Sequence, residues 1–213
     1  MADQVRFSRR TALQAAMGGL ALSVTAALPA ATPTQTAGPF FPKHDQADKD
    51  LDLTRIEGHA KTARGEVIVV EGRVLDEQGQ PVAEALVDVW QANMHGRYAH
   101  EADTSTAPLD PDFQGWARLR TDADGRFRVR TIKPGAYPVQ ANWSRPPHIH
   151  FKVARRGFHE LTTQMYFAGD ALNDIDRLLL AVPEADRPKL VVAFTDGVEG
   201  AKAGTFEIVL RRA

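Results

Sequence analysis

From residue 66 to residue 210 the chain is a succession of short β-branched and apolar runs cut by turn residues, which leaves little choice of architecture. Val67–Leu75, Ala85–Trp90, Ala117–Arg120, Arg126–Thr131, His148–Ala154 and Leu161–Phe167 each have strand length and strand composition. Asp76, Gly79 and Pro81 mark a turn after the first run. The segment 121–125 ends in Asp124-Gly125 between two alternating runs, which predicts a hairpin. A second hairpin is predicted from Leu190–Phe194 and Thr205–Leu210, and a short helix over Asn173–Leu180 with Asn173 as its cap. Many short strands and almost no helix predict an all-β fold, a β-sandwich of mostly antiparallel strands with few short helices.

The sandwich accounts for residues 66–213. Residues 1–31 have the layout of an export signal: Arg9 and Arg10 stand before a weakly apolar, Ala- and Gly-rich run with small residues near its end. The paired arginines resemble the bacterial twin-arginine signal, which implies the Tat export machinery as a partner and a periplasmic or secreted location. The apolar run is interrupted and too short to predict a stable membrane span. Residues 32–65 read as an extended N-terminal arm, because Gly38, Pro39 and Pro42 exclude helix and central strand while Phe40 and Phe41 call for burial.

Composition narrows the chemistry. A net charge of −1 gives no footprint for nucleic acid. With no cysteine, neither a disulfide framework nor a thiolate metal site is possible. Any metal must be held by His, carboxylate, Tyr or backbone oxygen.

His148 and His150 stand at i and i+2 of a predicted strand and so share one of its faces. Imidazoles suit Zn, Cu, Fe and Ni. Tyr137 lies shortly upstream, and Tyr98 stands in the loop-like run His95–His100. A phenol, with its ordinary pKa of about 10, becomes a ligand only when a strongly acidic metal removes its proton. Two phenols with two imidazoles therefore favour Fe(III) over Zn(II).

The chain resembles the intradiol ring-cleavage dioxygenases, in particular the protocatechuate 3,4-dioxygenase group. The resemblance is carried by Gln35–Phe40, Trp90–Asn93, Gly96–Tyr98, Leu109–Phe113, Thr131–Pro138, Arg145–Phe151 and Gln164–Asp170, in that order. It implies a non-haem Fe(3+) held by Tyr98, Tyr137, His148 and His150. It also implies O2 as co-substrate and a catechol-type ring opened between its two hydroxyls to a muconate-type dicarboxylate. Tyr137 is then the ligand expected to leave the metal as the catechol binds. Arg145 matches a catalytic and substrate-binding arginine that stabilises charge on the ring, and Gln164 a catalytic glutamine near iron and substrate. Gly38 and Pro39 match positions that line the substrate pocket. Tyr166 matches a structural aromatic.

Val139 departs from the pattern, since the protocatechuate enzymes carry a bulky aromatic after the Tyr-Pro pair; a differently shaped pocket is expected. One chain here carries both an arm and the iron ligands, which points to a homodimer. Two other readings follow from the residues alone. The segment Val74–Val87 is of a kind common in non-enzymatic transthyretin-like or carboxypeptidase-regulatory-like binding modules. A copper or zinc site would use His148, His150 and a third histidine.

Overall fold

The computed structural model describes residues 28–197 and 200–213, so the expected signal segment, apart from its last few residues, lies outside it. Eleven strands follow in order: β1 (Val67–Asp76), β2 (Leu86–Trp90), β3 (Trp116–Arg120), β4 (Arg126–Ile132), β5 (Tyr137–Gln140), β6 (Trp143–Arg145), β7 (His148–Ala154), β8 (Leu161–Phe167), β9 (Val191–Val192), β10 (Thr195–Asp196) and β11 (Lys202–Leu210). Among the described residues, one four-residue helix, α1 (Arg177–Leu180), and two 3-10 turns, Ala171–Ile175 and Glu184–Leu190, interrupt them.

The strands form a sandwich. One sheet has the order β10-β11-β1-β4, the other β3-β2-β7-β8-β9, and β5 pairs with β6 in a separate ribbon. Val70, Val129 and Ile208 from the first sheet and Val87, Ile149, Phe151 and Met165 from the second belong to one core cluster, all but fully buried. Burying a side chain of this size stabilises by roughly 1.5–3 kcal/mol relative to leaving it in water. Gly72 allows this closeness: a Cβ there would lie 1.9 Å from the Phe127 ring, which in turn packs on Phe151 at 6.1 Å.

The alternation of β7 is what creates a site. Ile149, Phe151 and Val153 point into the core, so His148 and His150 point to the sheet's other face. Pairing puts Tyr166 opposite His148, and places Gln164 and Trp90 opposite His150 on its two sides. That outer face is buried too, under the arm. Thr32 N donates to Val209 O in β11 at 3.1 Å and Gln35 N to Thr162 O in β8 at 2.8 Å, so the arm runs extended across both sheets.

Three local expectations are corrected. The 121–125 turn has the expected chemistry, with Asp122 Oδ1 accepting from the amides of Asp124 and Arg126 and Gly125 at φ 72°. It joins β3 to β4 across the two sheets, and β4 pairs with β1 instead. The second hairpin does not form either: β9 lies parallel to β8, and β11 lies parallel to β1 and pairs with β10. Finally, Asn173 caps nothing. Asp170 caps the 3-10 turn and Asp176 caps α1.

Candidate metal centre and substrate cleft

On the outer face of the five-stranded sheet four side chains converge from three segments. His148 and His150 come from β7, with ring centroids 4.9 Å apart. Tyr137 comes from the first position of β5, its Oη 3.5 Å from His148 Nε2. Tyr98 comes from the β2–β3 loop, its ring 5.8 Å from that of Tyr137 and 6.3 Å from that of His150. Gly96 at φ 75° turns the loop; a Cβ there would lie 2.3 Å from Ala136 O and 2.9 Å from Tyr137 Cβ. The loop and β5 can therefore touch only because residue 96 lacks a side chain.

Neighbours fix the rings. Trp90 stacks on His150 at 4.7 Å and 10°. Phe40 of the arm stacks on Tyr98 at 4.5 Å, and Tyr98 N donates to Asp103 Oδ2 at 2.7 Å. His148 Nδ1 lies 2.7 Å from Pro146 O; as the donor there, it leaves Nε2 as a lone pair facing Tyr137.

The electrostatics suit a cation. Burial, helped by the charge of Arg145, pushes the pKa of His148 down to about 3. Burial, His148 and Arg145 hold His150 well below its ordinary value. Both imidazoles are thus neutral. Burial raises the Tyr98 hydroxyl far above its usual range, with Tyr137 adding to the effect, and burial also raises Tyr137. Tyr98 Oη and His150 Nδ1 are buried without hydrogen-bond partners, a costly arrangement unless something else binds the cluster. The donor set fits a trivalent, strongly acidic ion that can take phenol protons. Among the described residues no group of three or more His, Cys, Asp and Glu is placed to hold a metal, so a copper or zinc site built with a third histidine does not form.

Beside the cluster opens a cleft of about 820 Å³. Tyr137, His150, Arg145, Gly38, Pro39 and Val139 line it, whereas Tyr98 and Gln164 do not. Gly38, at φ 66°, brings arm backbone close to His150, since a Cβ there would lie 3.7 Å from the ring. Arg145 is buried and held on several sides. Its Nε donates to Asp176 Oδ2 at 2.8 Å, and its Nη2 donates to Gln164 Oε1 at 2.6 Å and to Tyr166 Oη at 3.2 Å. Gln164 Nε2 donates to Thr36 O in the arm, and Tyr166 Oη to Gln35 Oε1. Gln164 therefore links Arg145 at the cleft to the arm, beside the cluster of phenols and imidazoles.

A family model described as dioxygenase matches residues 36–212. The chain belongs to the intradiol ring-cleavage dioxygenase family. It is 48% identical to the protocatechuate 3,4-dioxygenase beta chain of Burkholderia cepacia, over 81% of this chain and 76% of that one. It is 38% identical to catechol 1,2-dioxygenase 2 of Acinetobacter lwoffii over 54% of this chain, and spans about half of that relative's length, 46%. The dioxygenase domain of a dioxygenase carbohydrate-binding fusion from Streptomyces sp. SirexAA-E superposes with a TM-score of 0.64 at 31% identity. That match covers 86% of this chain and 100% of that one. As an intradiol dioxygenase the chain is an enzyme, and the binding-module alternative falls away.

The sequence pattern missed Asp176 and Gln35. Asp176 carried a signal in hindsight: an Asp directly before Arg177 and three leucines is an N-cap pattern.

Proposed function

We propose that this enzyme binds one Fe(III) through Tyr98, Tyr137, His148 and His150 and opens a catechol between its hydroxyls with O2, giving a muconate-type diacid. The observation that carries the reading is the convergence of two buried phenols and two neutral imidazoles with unpartnered polar atoms among them. When bound, the iron supplies Lewis acidity and a template for the diol.

The chain's own groups supply the rest. Tyr137 lines the cleft and Tyr98 does not, so Tyr137 Oη is the phenolic oxygen placed to take the proton of an incoming catechol hydroxyl. Tyr98, fully buried under Phe40, stays in place. Arg145 reaches the same wall of the cleft and stabilises negative charge on the ring. Gln164, Tyr166 and Asp176 hold its plane. Gly38 and Pro39 close the cleft from the arm side and limit water around the reacting ring.

The arm and the proposed ligands come from a single chain, which supports one gene product sufficing for the site; its assembly as a homodimer is part of the proposal. Arg9, Arg10 and the Ala-rich run support Tat export to the periplasm or beyond. Oxygen uptake on a panel of catechols, with product spectra and metal analysis, tests the chemistry. One ferric ion per chain and muconate products are expected. Hydroxymuconic semialdehydes, or iron-free active protein, would overturn the proposal.

A further inference from the structure

The cleft is much larger than one catechol ring needs. About 150 Å³ suffices to hold benzene, and this cleft measures about 820 Å³. Its charge is also one-sided. Among the described residues the basic groups in its lining are Arg145, His95 and His150. The charge of Arg145 is matched by Asp176. Asp103 brings a carboxylate to the same lining. Backbone amides fix both its oxygens, Tyr98 N at 2.7 Å and Ser105 N at 2.9 Å, and no lysine or arginine pairs with it among the described residues. The wall is anchored beyond it, where Arg97 Nη1 donates to Ala107 O and Asn93 Nδ2 to Pro108 O. Thr104, Ser105 and Thr106 line this wall, and His95 Nε2 is buried in the lining without a partner.

We propose that the cleft selects catechols carrying a bulky, uncharged, hydrogen-bonding substituent, and that Asp103 turns away catechols carrying a carboxylate. The inference rests on the ring-cleavage reading of the same site. A carboxylate entering the cleft loses water and meets a fixed like charge, while the one arginine in the lining is already paired with Asp176 and turned to the reacting ring. A hydroxylated neutral group meets side chains able to replace its water contacts.

The test compares matched probes on the iron-loaded enzyme: protocatechuate against its methyl ester for charge, and 4-methylcatechol against catechin for size. The methyl ester should exceed protocatechuate in kcat/KM by tenfold or more, and catechin should be opened at least as efficiently as 4-methylcatechol. Asp103→Asn should narrow the gap between ester and acid, and Thr106→Arg, on an exposed position of the wall, should narrow it further or reverse it. Protocatechuate turned over as well as its ester, or catechin left intact while 4-methylcatechol is opened, overturns the inference and leaves ring cleavage standing. If no catechol is opened, the parent reading itself is wrong.

Discussion

Arg145 and Asp176 form an ion pair at 2.8 Å with 5% and 0% of their side chains exposed. Asp176 uses its other oxygen to cap α1, accepting from the amides of Leu178 and Leu179. One carboxylate thus ties the guanidinium at the cleft to the helix behind it. Removing one member of a buried pair strands the other charge, at a cost of about 3–5 kcal/mol. Asp176→Ala should lower stability by that order in denaturant titration. Gln164→Leu leaves the ion pair in place but removes the bonds to Arg145, Tyr166 and Thr36 O; leaving those buried partners unmatched should cost about 1–3 kcal/mol, with kcat falling more than KM rises.

The ligand proposal separates by residue. Bound Fe(III) should give a visible phenolate-to-iron charge-transfer band; Tyr137→Phe should still retain iron, because Tyr98, His148 and His150 remain, but shift that band and slow turnover at least tenfold. His150→Ala should lose most of the metal by elemental analysis. Removing the metal with a chelator should bleach the band and lower the melting temperature, since an ion bound only by the folded state adds to stability.

Gly96→Ala should be costlier than its size suggests. The new Cβ meets Ala136 O and Tyr137 Cβ at a positive φ. Backbone strain of about 1–3 kcal/mol is expected, together with iron loss, because the clash pushes the Tyr98 loop away from β5. Equal stability and full iron content would contradict the assigned contact.

Acid sensitivity has an identifiable contributor outside the cleft lining. Burial acts to raise the pKa of Asp76, but amides of Gln80 and Gln78 and the Arg212 guanidinium outweigh it and hold it below 3.8. A group whose pKa is depressed on folding stabilises above its unfolded value and loses that contribution as pH falls through the folded one. Stability measured by denaturation should therefore fall below about pH 4, and Asp76→Asn should flatten the slope there while lowering stability at neutral pH.

How much of this was legible in sequence depends on the range of the interaction. β7 and β8 coincide with their expected bounds, because composition and alternation are local. The turn at 121–125 was legible as a turn, but the same Asp-Gly chemistry serves a hairpin and a crossover between sheets, and only long-range pairing tells them apart. The parallel partners of β9 and β11 leave no local trace at all. Within the site, residue types revealed Tyr98, Tyr137, His148 and His150 as candidates. The carboxylate that matches Arg145 lies 31 positions further along the chain and was not legible.

The arm has a consequence for the order of events during synthesis. Val209 N donates to Thr32 Oγ1 across 177 positions of sequence. Residues 35 and 36 find their partners on β8, but Thr32 at the start of the arm has none until β11 has left the ribosome and joined its sheet. A nascent chain halted before that strand should therefore hold the arm at one end only, so the final seating of the roof belongs to a time after translation has passed residue 209.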